Sequence, residues 1–220
     1  MCYKRGMPKV VDHEQRRLDL AAAAWRVAAR EGGQAISIRS VATEAGWSTG
    51  ALRHYFPARG HLVAFTMRHY AHAITQRIKE RVATAQAAET LVEGGALLAE
   101  EVMPLDEQRR TEFALWATAG EETRTEASLA TTDLSSSLRG LWRQLATQLC
   151  GYPALRDFQQ PHADPRVEQW AEFLHIFVDG LSAQLFYDPQ QSPDQARRVL
   201  RDFLATVPTL APPDTTPPRS

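Results

Sequence analysis

The sequence predicts an all-α protein with a helix-turn-helix near its N-terminus and a larger set of helices after it. Three observations support this class. Apolar residues recur at helical spacing, and no run alternates apolar and polar residues as a half-buried strand does. Helix-capping residues stand just before the apolar stripes. Residues 37–56 read as two short helices joined by a tight turn, which is the helix-turn-helix pattern.

A first helix is predicted from a stripe of small and apolar residues that ends at Gly32 and Gly33. Ser37 and Ser48 can each cap a short helix, because a serine hydroxyl accepts a hydrogen bond from a free amide of the first turn. Gly46 lies between these two caps, where the chain must reverse. The stripe of the first helix comprises Leu18, Ala21, Ala22, Trp25, Ala28 and Ala29.

The rest of the chain is predicted to be helical as well. Pro57 suits the first turn of a helix that runs to about Ala83, because the amide that proline lacks would be unpaired there. Asp106, Asp164 and Ser192 are further N-cap candidates. Five more helices are expected at about residues 87–103, 106–120, 124–150, 165–187 and 193–206.

These patterns divide the chain into four parts. Residues 1–11 are expected to be a flexible N-terminal arm, and residues 12–58 a helix-turn-helix DNA-binding domain. Residues 59–207 are expected to be a ligand-binding and dimerisation domain. Residues 208–220 contain five prolines, which favours a disordered tail.

Composition narrows the function classes. The chain is 44% hydrophobic, which allows a large core, and it has no apolar run long enough to span a membrane. The absence of an apolar leader predicts a cytoplasmic protein without a membrane partner. Cys2 and Cys150 form no metal or redox pattern. We find no catalytic triad, phosphate loop or zinc spacing, so no cofactor, no metal and no enzyme is predicted.

Charge is distributed unevenly along the chain. Residues 1–80 contain 13 Lys and Arg against 6 Asp and Glu, and residues 81–220 contain 12 against 20. A basic part that carries a helix-turn-helix, joined to an acidic part, is typical of a DNA-binding module fused to another domain. The alternative is a chance fluctuation of surface charge.

The second short helix is the candidate for reading bases. Leu52 and Phe56 define its inner face, and Thr49 and Arg53 lie one turn apart on another face. Arg53 can donate two hydrogen bonds to N7 and O6 of a guanine, and Thr49 can contact a base edge or a thymine methyl group. Gly50 permits close approach of the backbone to DNA. The alternative for Arg53 is a solvated surface arginine.

Flanking residues are candidates for contacts with the sugar–phosphate backbone, which fix the register of the protein on DNA. His54 is a backbone contact or a surface residue. Trp47 either wedges into the core of the small domain or lies on the DNA backbone. The complete predicted DNA-binding set is Ser37, Arg39, Thr43, Trp47, Ser48, Thr49, Gly50, Arg53, His54, Tyr55 and Arg59.

The region 165–187 is apolar on more than one face, which indicates burial on more than one side. Together with 193–206 it can form a four-helix interface between two subunits of a homodimer. The alternative is a central helix in a monomer.

Aromatic residues in the C-terminal part are candidates for an effector cavity, in which they could hold a cation through cation–π attraction. The alternative is that they are ordinary core residues. Asp179 could face a ligand cation, or it could be a capped or interface carboxylate. The predicted ligand-binding set is Tyr70, Phe113, Trp116, Trp142, Phe173 and Phe177.

The segment from Gly33 to Leu62, with Ser37-Ile-Arg-Ser-Val-Ala-Thr-Glu-Ala-Gly46-Trp-Ser-Thr-Gly50-Ala-Leu-Arg-His-Tyr-Phe56 at its centre, resembles the DNA-binding domain of the tetracycline-repressor (TetR) family. The resemblance covers roughly residues 12–65. Met7-Pro8-Lys9-Val10, the His-Tyr-Phe ending at Phe56 and Thr66-Met67-Arg68 are similar to the betaine-pathway regulators of that family, and Met7 is therefore expected as the natural start.

The chain departs from the family pattern at three positions. The family often has Tyr where Arg53 stands, His where Tyr55 stands and a smaller apolar residue where Trp47 stands.

The resemblance implies a homodimer of about nine helices per subunit. It implies a one-component transcriptional repressor that binds a palindromic operator and is released by a small-molecule effector. An activator or dual regulator of the same fold is the alternative, and a helical ligand-binding or scaffold protein is a different class.

Overall fold

The structure is a computed structural model that describes residues 13–129 and 132–210. Over these ranges the chain forms nine α-helices and no β-strand, which confirms the predicted all-α class. The predicted arm (residues 1–11), Cys2 and residues 211–220 of the predicted tail lie outside the described residues. The helices are α1 (His13–Glu31), α2 (Ile38–Ala45), α3 (Thr49–Arg53), α4 (Arg59–Gln86), α5 (Leu91–Ala99), α6 (Glu107–Thr125), α7 (Thr132–Leu149), α8 (Pro165–Tyr187) and α9 (Pro193–Leu210).

The helix-turn-helix forms where the caps predict it. The Ser37 hydroxyl accepts a hydrogen bond from the Ser40 amide at 3.0 Å, and the Ser40 hydroxyl accepts one from the Ser37 amide at 2.9 Å. Gly46 ends α2 with a φ of 70°, a left-handed conformation that glycine adopts without a steric cost. The Ser48 hydroxyl then caps α3 by accepting from the Ala51 amide at 3.1 Å. Local hydrogen bonds therefore define both helices and their turn.

The buried face of α1 differs from the predicted stripe. The residues that face the core are Leu20, Ala21, Ala23, Ala24, Val27 and Ala28. Leu18, Ala22 and Trp25 are half-buried, and Ala29 is exposed. The alanine-rich sequence offers more than one apolar face, and the packing of α1 against α2, α4 and α6 determines which face is buried.

Helix α4 begins later than predicted. Ala58 is extended and Arg59 is the first helical residue, so Pro57 precedes the helix instead of occupying its first turn. The helix continues to Gln86, and it joins the two parts of the molecule. Leu62 of this helix is fully buried in the same core as the helix-turn-helix residues, and Ile74 lines a cavity in the C-terminal part.

Three later boundaries also shift. Thr90 caps α5, which is shorter than the predicted 87–103, and residues 100–102 form a short 3₁₀ turn after it. Helix α6 continues to Thr125 because Gly120 lies within it without breaking it, so the predicted start of the next helix at 124 is wrong. Helix α7 begins at Thr132.

The last two helices pack together at the C-terminal end. Asp164 caps α8, its carboxylate accepting from the Arg166 amide at 2.9 Å, and Pro165 occupies the first turn as predicted. Helix α9 extends to Leu210, three residues beyond the predicted domain boundary at 207. Among the described residues, no helix is both long enough and apolar enough to cross a membrane.

Candidate DNA-binding surface and effector cavity

Helix α3 is anchored in the core by its inner face. Leu52 is fully buried, and Phe56, just beyond the helix, is buried with its ring centroid 5.3 Å from that of Phe65. Because this face is fixed in the core, the opposite face of α3 is presented to solvent. The predicted residues on that exposed surface are Thr49, Gly50, Arg53 and His54, and Ser48 is exposed at the cap.

The neighbouring basic side chains fall into two groups. Arg39 on α2 and Arg53 on α3 are exposed, and neither forms an ion pair with the residues that the structure describes. In contrast, Arg26 and Arg30 are paired with Glu44 at 2.7 and 3.1 Å. Arg39 and Arg53 are therefore available to bind an anion, as is the exposed side chain of Thr43.

Trp47 and Tyr55 are half-buried and pack against the small core. Their ring centroids are 5.5 Å apart in an edge-to-face arrangement, and the Arg16 guanidinium lies 5.3 Å from the centroid of Trp47. This placement favours the wedge interpretation of Trp47. Ser37 is also half-buried, and its hydroxyl is engaged in capping α2.

Arg59 is placed differently from the prediction that it contacts the DNA backbone. Its Nε donates to the carbonyl oxygen of Ile36 at 2.7 Å, and its guanidinium forms an ion pair with Glu122 of α6. Arg59 therefore connects the helix-turn-helix to the C-terminal part, and its charge is already balanced. A long-range partner 63 residues away gave no local signal in the sequence.

A cavity of about 40 Å³ lies between α4, α6, α7 and α8. It contains three of the six predicted ligand-binding residues, namely Phe113, Trp116 and Trp142. The complete lining is Met67, Ile74, Val102, Glu112, Phe113, Trp116, Leu138, Trp142, Asp179 and Ser182. The cavity is thus aromatic and apolar with two carboxylates, which is the character of a small-molecule site.

The other three predicted ligand-binding residues do not line this cavity. Tyr70 packs on Trp25 of α1 with ring centroids 4.1 Å apart. Phe177 stacks on Phe203 of α9 at 3.7 Å, which fixes α8 to α9. Phe173 is 43% exposed on the outer side of α8. Helical spacing identified all six as apolar positions, but it could not tell which side of a helix faces the cavity.

The two carboxylates of the cavity have different environments. Both oxygens of Glu112 accept hydrogen bonds from the guanidinium of Arg77, each at 2.7 Å. The Nε2 atom of His175 lies 3.5 Å from the carboxylate of Asp179. Burial raises the pKa of the Asp179 carboxyl, and the nearby His175 opposes this rise. Sequence reasoning missed Glu112, because its partner Arg77 lies on another helix.

A network of ion pairs around Glu101 shares Arg77 with Glu112. Glu101 is buried and pairs with Arg77, Arg81 and Arg109 at 3.2, 2.9 and 2.7 Å. Burial alone would raise the pKa of Glu101, but the hydrogen bonds and charges of these arginines outweigh it and lower the pKa below its ordinary value. The network holds the chain after α5 against α4 and α6.

Helix α6 connects the cavity to the helix-turn-helix. Phe113 and Trp116 line the cavity from this helix, and Glu122 near its end binds Arg59. On the same helix, Ala114 packs so closely on Gly33 that an added Cβ would lie 2.6 Å from the carbonyl oxygen of Ala114. Helix α6 therefore contacts both the cavity and the segment between α1 and α2.

No group of three or more His, Cys, Asp or Glu side chains that could hold a metal ion occurs within residues 13–129 and 132–210. Cys150 is buried with a free thiol, and burial raises the pKa of that thiol.

A helix-turn-helix with an exposed polar face, joined by α4 and α6 to a helical part that contains a cavity, is the architecture of a DNA-binding regulator. Family models agree with this class. Residues 20–64 match the model described as bacterial regulatory proteins of the tetR family, and residues 93–208 match the model described as BetI-type transcriptional repressor, C-terminal.

Individual proteins support the same assignment. The chain is 32% identical over 203 residues to the HTH-type transcriptional regulator PksA of Bacillus subtilis (strain 168), an alignment that covers 91% of this chain and 94% of PksA. The fold is similar to that of a transcriptional regulator from Saccharomonospora viridis in complex with choline, with a TM-score of 0.64, 22% identity and coverage of 87% and 96% of the two chains. A transcriptional regulator from Rhodococcus sp. Rha1 matches with a TM-score of 0.60, 24% identity and coverage of 91% and 99%.

The chain belongs to the TetR family of transcriptional regulators. The matching models and relatives are described as transcriptional regulators.

Proposed function

We propose that this regulator is a cytoplasmic repressor that binds palindromic operator DNA as a homodimer and releases it when a small effector enters the cavity. The observation that carries the proposal is the exposed face of α3, where Thr49, Gly50 and Arg53 stand on a helix whose opposite face is buried. A helix presented in this way can enter a DNA major groove.

The DNA contacts divide by role. Arg53 is proposed to read a guanine, because its guanidinium is exposed, is not used in an ion pair within the described chain and can donate two parallel hydrogen bonds. Arg39 and Thr43 on α2 are proposed to contact phosphates, as are Ser48 and His54 at the ends of α3. Arg59 does not belong to this set, because the carbonyl oxygen of Ile36 and the carboxylate of Glu122 occupy its guanidinium.

Dimerisation is proposed through α8 and α9, as the sequence pattern indicates. The outer side of these helices exposes large apolar side chains: Phe173, Ile176, Tyr187 and Val199 are 43%, 62%, 69% and 39% exposed. Several large apolar side chains exposed on these two helices favour a protein–protein interface. A two-fold dimer would present two α3 helices to half-sites about 34–36 Å apart, which is one turn of DNA.

The effector is proposed to cause release of the DNA by moving α6. A ligand between Phe113 and Trp142 would move α6 against Gly33 and against the Arg59–Glu122 pair, and so change the separation of the two α3 helices. A regulator of similar fold was solved in complex with choline, which is consistent with a small-molecule effector for this chain. A coupling of about 1–3 kcal/mol would lower operator affinity roughly 5- to 150-fold.

The test starts from the full-length protein and a randomised duplex library, from which retained sequences are selected and then titrated by fluorescence anisotropy. We expect a palindromic site with two half-sites one turn apart. The logarithm of the binding constant should fall with the logarithm of salt concentration, by about 0.9 for each phosphate contacted. A slope near zero, or no enriched sequence, would contradict the proposal.

A variant pair makes this test specific. Arg53→Ala should cost about 1–3 kcal/mol per half-site and relax the preference for one base. Arg156→Ala is the matched control, because Arg156 is an exposed arginine in the loop before α8. Equal DNA affinity of the two variants would show that Arg53 does not read a base. A reporter gene under the selected site then distinguishes repression from activation.

A further inference from the structure

The cavity contains one carboxylate, among those the structure describes, whose charge is not balanced by an arginine. Both oxygens of Glu112 are occupied by Arg77 at 2.7 Å. Asp179 accepts no hydrogen bond from the described residues; its side chain is 44% exposed, and His175 Nε2 lies 3.5 Å from its carboxylate, beyond the usual N–H···O length. A ligand that enters therefore meets Asp179 as an available anion and acceptor.

Trp142 is a second polar group without a partner. The side chain is 1% exposed and lines the same cavity, and its Nε1 finds no acceptor among the described residues. An indole N–H can only donate, and leaving a buried donor unpaired is unfavourable. A ligand that carries an acceptor oxygen would satisfy it.

The remaining walls limit the size and polarity of the ligand. Phe113 and Trp116 lie with ring centroids 5.6 Å apart, and the other lining residues are largely apolar. A volume of about 40 Å³ is small, so the lining side chains must move apart for any ligand of more than a few heavy atoms, and a large effector is disfavoured. An anionic ligand is disfavoured because Asp179 carries the unbalanced charge and Arg77 is committed to Glu112.

We propose that the effector is a small protonated amine that keeps at least one N–H and carries an oxygen acceptor. Its N–H donates to the Asp179 carboxylate, its oxygen accepts from Trp142 Nε1, and its carbons lie against Phe113 and Trp116. A quaternary ammonium ion has no N–H to donate, so it would leave Asp179 without a hydrogen bond. This inference rests on the proposed function in that it names the ligand of the proposed effector cavity.

Two probes that differ at one position test the requirement for an N–H. Isothermal titration of the full-length protein with 2-(dimethylamino)ethanol and with choline compares a protonated tertiary amine with its N-methyl quaternary analogue. We expect the amine to bind about tenfold tighter or more, because a hydrogen bond to a charged group is lost with choline. The uncharged 3,3-dimethylbutan-1-ol should bind weakest. Equal or tighter binding of choline or of the uncharged alcohol overturns the proposal.

Variants assign the two contacts. Asp179→Asn should weaken 2-(dimethylamino)ethanol binding by roughly 10- to 100-fold. Trp142→Phe keeps a ring but removes the N–H, so it should weaken this probe several-fold and leave ethyldimethylamine, which lacks the hydroxyl, unaffected. Glu172→Gln is the control, since Glu172 is an exposed carboxylate on the same helix. If Trp142→Phe does not fold, the preference of the unaltered protein for the hydroxyl-bearing amine replaces it.

DNA binding is measured separately, so that the two proposals can fail independently. If the protein binds its selected duplex but no small protonated amine binds at millimolar concentration, the inference about the ligand is wrong and the DNA-binding function stands. If the amine binds as predicted but no duplex is retained, the cavity assignment stands and the repressor proposal fails. Release of the duplex by 2-(dimethylamino)ethanol but not by choline supports both.

Discussion

Gly33, in the short segment between α1 and α2, packs closely against α6, and Gly33→Ala tests that contact. A Cβ there would lie 2.6 Å from the carbonyl oxygen of Ala114 and 2.2 Å from Oγ1 of Thr118. The Thr118 hydroxyl cannot rotate away without losing its hydrogen bond to Ala114, which is 2.7 Å long. The backbone oxygen belongs to α6, so the helix itself must retreat by a large fraction of an ångström.

Overpacking of this kind costs about 1–3 kcal/mol. For a chain of this size each kcal/mol lowers the melting temperature by about 2–4 °C, so Gly33→Ala should melt roughly 2–12 °C below the unaltered protein. Differential scanning calorimetry measures the change. No backbone penalty is added by alanine, because positive φ angles in the described chain occur at Gly32, Gly46 and Gly151 but not at Gly33.

Gly120→Ala is the matched control on α6 itself. Gly120 is exposed within this helix, and no atom lies within 4 Å of the position that an added Cβ would take. Replacing a helical glycine in open space should raise stability by about 0.4–1 kcal/mol. If Gly33→Ala melts at or above the temperature of the unaltered protein, α6 does not press on the helix-turn-helix, and the proposed route from cavity to DNA loses its support.

Three further outcomes are expected. Because the pKa of Glu101 is lowered, its ion pairs stabilise the fold at pH values above the ordinary carboxyl pKa near 4, and this stabilisation is lost as the pH falls. Acidification should therefore reduce the free energy of unfolding less in Glu101→Gln than in the unaltered protein, as measured by denaturant titration. Ile176→Asp should convert a dimer to monomers in analytical ultracentrifugation, whereas an unchanged mass would remove the exposed face of α8 from the interface. Leu52→Ala should cost about 2–5 kcal/mol in chemical unfolding, and a smaller loss would mean that α3 is not anchored by this residue.

The sequence was sufficient for the helix-turn-helix because the information is local. Ser37 and Ser48 cap helices through amides three residues away, and Gly46 takes its left-handed conformation within the turn itself. The outward direction of Thr49 and Arg53 then follows from the helical period once Leu52 is buried. These features depend on neighbours a few residues apart, which the sequence displays directly.

The cavity and the connection between the two parts were decided by tertiary contacts. Six aromatic residues had suitable helical spacing, yet Phe113, Trp116 and Trp142 line the cavity while Tyr70 and Phe177 serve helix packing. Spacing fixes which residues share a face of one helix but not which helix that face meets.

The same reason explains Arg59 and Glu112. Arg59 lies beside the DNA-binding helix in sequence, but Glu122 on α6 takes its charge, and Glu112 gains its role from Arg77 on α4. The sequence by itself determined the class of protein, the helix-turn-helix and the side of α3 that faces outward. Only the tertiary structure decided which charges are left unpaired, because an ion pair between distant segments depends on how the helices pack and not on the order of residues along the chain.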